Sequence, residues 1–305
     1  MGYGSYTSST FADYSTSRGI SYDFSTKKMS STVSHQEIFK SRHIVDELDP
    51  KGVVRECCDS VDHPCTKPVI LALDVTGSMG DAATEVAKSL GVIMSDLYDK
   101  VTDIQFMTMG IGDFAYDDGP LQVSQFESDV RINEQLDKIW FEFGGGGNQY
   151  ESYTAAWKFG LDHTKLDCFD KRHTKATLIT IGDETINPYI DGDRWEEVTG
   201  ETVQADIETK ELFKAVSEKF NIYHIHVDHR GRGGYYNDKC VNSFKAIIGA
   251  QNVFTCTVED IDKTITNIIL DSVNNSTDSF VDENPVTPVA NTSGIKFTEN
   301  GEIDW

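Results

Sequence analysis

Short, mostly apolar runs alternate along this chain with longer stretches whose apolar residues recur every three or four positions. That alternation limits the folds open to it. Val69-Ile70-Leu71-Ala72-Leu73 is too short for a helix of ordinary length and too uniformly apolar for a strand with one wet face. Residues 104–109, 177–181, 222–227 and 253–257 read as further, mostly apolar strands, and 121–126 reads as a shorter strand after the turn Asp117-Asp118-Gly119-Pro120. Between the runs, helical spacing aligns Val86, Leu90, Ile93 and Leu97; Leu136, Ile139, Trp140 and Phe143; Leu212, Phe213 and Val216; Val241, Phe244 and Ile248; and Val258, Ile261, Ile265 and Ile268. A further helix is expected over 151–162. Strands alternating with helices predict a mostly parallel sheet covered on both faces, and right-handed crossovers make it a doubly wound, Rossmann-like α/β fold. This unit takes residues 68–273. Residues 1–35 form a Ser/Tyr-rich arm, disordered or docked, 36–67 an irregular approach segment, and 274–305 an acidic tail.

Charge narrows the partners. Asp and Glu number 50 against 27 Lys and Arg in 305 residues, a net charge of −23. Phosphate backbones and anionic membranes require clustered cations, so neither nucleic acid nor a membrane is expected as a partner. The short Arg230-Gly231-Arg232-Gly233 turn does not change that. No apolar run approaches bilayer length, and Met1-Gly2-Tyr3-Gly4-Ser5-Tyr6 has neither the basic nor the apolar region of a secretion signal. The expected compartment is a cytoplasm, of a cell or of a phage-infected cell. Aromatic residues recur along both arms (Tyr3, Tyr6, Phe11, Tyr14, Tyr22 and Phe24; Phe297 and Trp305), so oligomerisation through the tails is open.

The chemistry gathers where strands end. Asp74-Val75-Thr76-Gly77-Ser78-Met79-Gly80 carries one carboxylate and two hydroxyls at alternate positions directly after an apolar run. A helix cap needs only one such residue; three can converge on a hard cation, which takes oxygen ligands. Two further loops fall at the same sheet edge: Gly144-Gly145-Gly146-Gly147-Asn148-Gln149-Tyr150-Glu151, and Gly182-Asp183-Glu184. Asp113, after the run 104–109, could hydrogen-bond a metal's water. Cys57, Cys58, Cys65 and His63 invite a zinc reading, but adjacent Cys57 and Cys58 do not make a knuckle. His224, His226 and His229 could place two imidazoles on one face of a strand, though hydrogen-bonded histidines are the commoner outcome there.

Together these residues resemble the metal-ion-dependent adhesion site of von Willebrand factor A domains, the fold shared with integrin I domains. Asp74-x-Thr76-x-Ser78 is similar to that family's Asp-x-Ser-x-Ser signature, with Thr for the first Ser. Asp183 falls where the family has the Asp after its fourth long strand. The middle loop departs: a Thr usually follows a Gly pair there, whereas this chain has Asn148 and Gln149, with Glu151 beyond. The resemblance implies Asp74, Thr76, Ser78 and Asp183 as metal ligands, with Asn148 or Glu151 contributing directly or through water. The implied ion is Mg²⁺, with Mn²⁺ or Ca²⁺ as alternatives. The whole chain is further similar to an uncharacterised group of bacterial and phage-encoded A-domain proteins that share the Asp-Val-Thr-Gly-Ser-Met-Gly loop. What this implies is a metal-dependent adaptor or assembly module that captures an Asp or Glu of a partner protein, such as an AAA+ ATPase or an assembly subunit. The alternatives are a structural or virion subunit and a metal-dependent hydrolase with Glu184 or Glu151 as base. No arginine-rich phosphate clamp accompanies the site, so no residue is assigned a catalytic role.

Overall fold

In the computed structural model, which describes residues 7–23, 28–30, 33–142, 150–229 and 234–277, the apolar runs become one six-stranded sheet. Its strands are β1 Lys67–Asp74, β2 Ile104–Ile111, β3 Leu121–Val123, β4 Ala176–Gly182, β5 Phe220–Val227 and β6 Val253–Cys256. They lie in the order β3-β2-β1-β4-β5-β6, parallel except for β3, which runs antiparallel to β2. The expected doubly wound, mostly parallel α/β fold is the fold found.

Side chains alternate across the strands. Val69, Leu71 and Leu73 pack with Ile179 and Ile181 under helices α2 Gly80–Tyr98 and α8 Ile261–Thr277. Ile70, Ala72, Met109 and Leu178 face the other way, under α4 Thr154–Asp162, α6 Thr209–Lys219 and α7 Tyr235–Ile248. Both faces being covered explains why apolar residues occupy both sides of the strands rather than alternate positions only. The strand order reverses between β1 and β4, whose Leu73 and Ile181 pair, so the loops after these strands diverge around a crevice.

Several boundaries differ from the sequence expectation. The helix holding Leu136 is only α3 Arg131–Leu136. Beyond it, Gln122 of β3 captures the backbone of Trp140 from both sides: Nε2 donates to the Trp140 carbonyl and Oε1 accepts from its N–H, each at 2.8 Å. Those bonds substitute for a helical turn and hold Ile139 and Phe141 buried. Phe143 lies outside the described residues. The helix expected from 151 begins at Thr154, because Tyr150–Glu151 pairs in parallel with Thr185–Ile186. The approach segment contributes a short strand, Arg55–Cys57, paired with Thr164–Leu166, and helix α5 Gly192–Thr199 was not foreseen.

The amino-terminal arm is packed where it is described. Helix α1 Ser8–Ser17 is closed by a Thr7 capping box and drives Phe11 into the core beside α2. A Cβ on Gly91 would meet the Phe11 ring at 1.9 Å, so glycine there makes the seat. Tyr14 Oη donates to Asp137 at 2.5 Å and Arg18 pairs with the same carboxylate at 2.6 Å. The tail after Thr277, with Phe297 and Trp305, lies outside the described residues, as do Tyr3, Tyr6 and Phe24. No helix among the described residues is long and apolar enough to cross a membrane.

Candidate metal site at the carboxyl edge

Strand β1 ends at Asp74, opposite Ile111, and the Val75 N–H still reaches the Ile111 carbonyl at 2.9 Å. The chain then turns through a 3₁₀ turn, Gly77–Met79, into α2. Asp74 is wholly buried. Its Oδ1 accepts the Thr76 N–H at 2.9 Å and the Thr76 hydroxyl at 2.6 Å, while Oδ2 accepts the Tyr153 hydroxyl at 2.8 Å. Ser78 is exposed, and its hydroxyl crosses the crevice to Asp183 Oδ1 at 3.0 Å. The other Asp183 oxygen lies 3.2 Å from His229 Nε2. Glu184 follows, with its N–H on the Tyr153 oxygen at 3.3 Å and its carboxylate accepting the Tyr236 hydroxyl. A crevice of about 670 Å³ lined by Ser78, Asp183, His229 and Tyr236 opens on this edge.

The electrostatics are those of crowded carboxylates. Burial, then Asp183, pushes the Asp74 carboxyl above its ordinary range against the pull of its hydrogen bonds. Glu151 is buried, and one of its carboxylate oxygens, Oε2, has no hydrogen-bond partner among the described residues. Burial first, and then Asp74, drives its affinity for a proton far up. Among the described residues no Lys or Arg forms an ion pair with Asp74, Glu151 or Asp183. His229 pairs with Asp183, and that hydrogen bond raises the His229 pKa.

This donor set is all oxygen, two carboxylates and two hydroxyls with a third carboxylate nearby, which suits a hard divalent cation rather than a soft one. No group of three or more His, Cys, Asp or Glu is placed to hold an ion among the described residues. Asp74, Asp183 and Glu151 therefore do not close on one point, and Glu151 stands back from the pair. Of the two residues open for the middle loop, Asn148 lies outside the described residues with the glycine run, so only Glu151 is placed.

Other sequence candidates disperse. His224 is buried, stacked on Phe244 at 3.3 Å and hydrogen-bonded to the Thr180 hydroxyl at 2.9 Å. His226 is buried beside it, and only His229 reaches the crevice. Cys57 donates to Gln105, and His63 sits between Asp103 and Ser128, so the zinc grouping is not formed. Asp113 caps its own turn through the Ala115 N–H at 2.8 Å. Residues 230–233 lie outside the described residues. Sequence reading missed Tyr153 as the partner of Asp74; its one signal was a tyrosine at the mouth of a helix that follows a glycine-rich loop.

No family model matches the sequence, and no curated protein matches it. Solved structures do. The chain is similar to the pilus adhesin SpaC from Lactobacillus rhamnosus GG in its open conformation, at 12% identity and a TM-score of 0.48 over 74% of this chain and 31% of the adhesin. It is similar to the conserved hypothetical protein BatB from Bacteroides thetaiotaomicron, at 13% identity and a TM-score of 0.42 over 68% and 99% of the two chains. The vWF domain of the type V pili tip protein Mfa5 from Porphyromonas gingivalis matches at 12% identity and 0.42, over 73% and 98%. The chain thus spans about a third of the length of the adhesin.

Proposed function

We propose that this crevice holds a divalent cation, Mg²⁺ first with Mn²⁺ or Ca²⁺ as alternatives, and offers it to an Asp or Glu side chain of a partner protein. Asp74, Thr76, Ser78 and Asp183 would hold the ion, with Asn148 or Glu151 contributing directly or through water. The observation that carries the reading is that Asp74 with Thr76, and Asp183 with Ser78, come from two loops to one sheet edge, with buried Glu151 standing back from them and no Lys or Arg ion-paired to any of the three carboxylates among the described residues. Buried like charges raise one another's proton affinity, and a cation relieves what protonation otherwise must.

Bound there, the ion would supply one electrophilic position for an incoming carboxylate. The chain's own residues set the stage for it. Thr76 and Tyr153 fix both oxygens of Asp74, and Ser78 and His229 hold those of Asp183. The resemblance to A domains extends this reading to an adaptor or assembly module whose partner is an AAA+ ATPase or an assembly subunit. It is a binding function, and no group in the crevice takes a catalytic role.

Calorimetric titration with Mg²⁺ and Mn²⁺ tests the site. Asp74→Ala is expected to lower affinity by more than the roughly 10–100-fold that loss of an outer partner brings, with the far-UV spectrum unchanged. Equal affinity in the variant and the parent would remove the assignment. Glu151→Ala, if the residue acts through water, is expected to cost less than Asp183→Ala.

A further inference from the structure

The exposed aromatic rings of this molecule share one edge. Among the described residues the large aromatic side chains left to solvent are Tyr116, Tyr150, Tyr189, Tyr235 and Tyr236. All five lie at the carboxyl edge: in the loop after β2, in and beside the loop after β4, and at the start of α7. Tyr235 and Tyr236 stand at the crevice already described. Tyr150 and Tyr189, 42% and 47% exposed, stand at a separate groove of about 770 Å³, where Phe114 and Pro188 add apolar lining. Tyrosine is enriched where proteins meet, because one ring gives both apolar area and a polar tip. Rings gathered on one edge around a groove therefore mark a contact surface.

The charge of the groove selects what it fits. Asp113, Asp191, Asp193 and Glu197 line it, and Arg194 is the one cation among its described lining residues. That guanidinium is already spent. Its Nε donates to the Phe114 carbonyl at 3.1 Å, Nη2 to the Asp117 carbonyl at 2.7 Å and Nη1 to Glu197 at 2.6 Å, which ties α5 to the loop after β2. The facing side is held as firmly: Ser152 Oγ accepts the Phe114 N–H at 3.0 Å, and the Asn187 amide donates to the Tyr189 carbonyl at 2.9 Å. Asp191, whose Oδ1 caps α5 through the Arg194 N–H at 2.9 Å, and Asp193 are exposed, and neither is ion-paired to a Lys or Arg among the described residues. Fixed acidic walls beside tyrosine faces suit a cationic side chain, since carboxylate and ring attract the same charge. An acidic segment is repelled there. We propose that this groove receives a Lys- or Arg-bearing segment of a partner protein, lying against Tyr150 and Tyr189 with its cations on Asp191 and Asp193. The groove needs no metal and stands apart from the cation reading of the crevice.

The tyrosines themselves report occupancy. The full-length chain is nitrated with tetranitromethane in EDTA, and each tyrosine is followed by mass spectrometry. The probe is the peptide acetyl-Lys-Gly-Arg-Gly-Lys-amide, and its control carries Glu at each basic position. The basic peptide is expected to slow nitration of Tyr150 and Tyr189 about fivefold once its concentration is ~4 times Kd, with Tyr235 nitrated as before. The acidic control is expected to change nothing. Changing both Asp191→Asn and Asp193→Asn is expected to abolish most of the protection. That variant removes two charges from a net −23, so diffuse attraction of a cationic peptide persists, and Asn still caps α5. Equal slowing at all five tyrosines would mean diffuse attraction and overturn the proposal. So would equal protection in variant and parent, protection by the acidic control, or no slowing at Tyr150 and Tyr189. Because EDTA is present throughout, failure here leaves the Mg²⁺ titration of the crevice to stand or fall by itself.

Discussion

Tyr153 shows how one side chain can join three loops. Its hydroxyl donates to Asp74 and accepts from the Glu184 N–H, and its ring meets His224 and Phe244 edge-on at 5.4 and 5.3 Å. The approach is possible because residue 182 is glycine: a Cβ there would lie 2.0 Å from the Tyr153 oxygen. Tyr153→Phe keeps the ring and strips Asp74 Oδ2 of its donor, so a loss of about 1–2 kcal/mol is expected in urea unfolding without added metal. The same variant should bind Mg²⁺ roughly 10-fold more weakly, because Asp74 is no longer held in one orientation. Gly182→Ala must displace that ring and is expected to cost about 1–3 kcal/mol. If both variants unfolded with the parent, Tyr153 would be a bystander.

Among elements, helix α1 is the informative one. Its own ten residues carry little beyond the capping box, and an isolated helix of that length is marginal in water. Its order comes from Phe11 in the Gly91 seat and from the Asp137 carboxylate that takes both Tyr14 and Arg18. Phe11→Ala is therefore expected to cost about 3 kcal/mol, the low end for a buried Phe because the arm can detach without leaving a closed cavity. Gly91→Leu should have the same effect by filling the seat. Hydrogen exchange is the check: in either variant residues 8–17 should lose protection while β1 and β4 keep theirs. Uniform loss across the sheet would mean that α1 is part of the cooperative core. Helix α3 makes the complementary point. Apolar spacing continued to Phe143, but two side-chain bonds from Gln122 ended the helix early, a contact that periodicity cannot report.

For the whole molecule, the net charge of −23 sets a self-repulsion that ions relieve. Sodium chloride should raise the melting temperature of the parent and of Asp74→Ala alike, since screening does not depend on one site. Magnesium at equal ionic strength should add a further rise in the parent only, about 2.7 kcal/mol of stabilisation once its concentration is ~100 times Kd. An equal magnesium effect in both chains would mean diffuse screening and no site. The alternation of strand and helix, and with it the doubly wound fold, was legible in the sequence because periodicity is local and each parallel strand must be apolar on both faces. So was the grouping of Asp74, Thr76 and Ser78, which covalent spacing keeps together on one loop after one strand. Tertiary structure alone decided that Ser78 crosses to Asp183, 105 residues on, that Tyr153 takes the second oxygen of Asp74, and that the three histidines part company. Those outcomes depend on which strands become neighbours and on how closely backbones approach. Both are settled by packing between segments far apart in the chain.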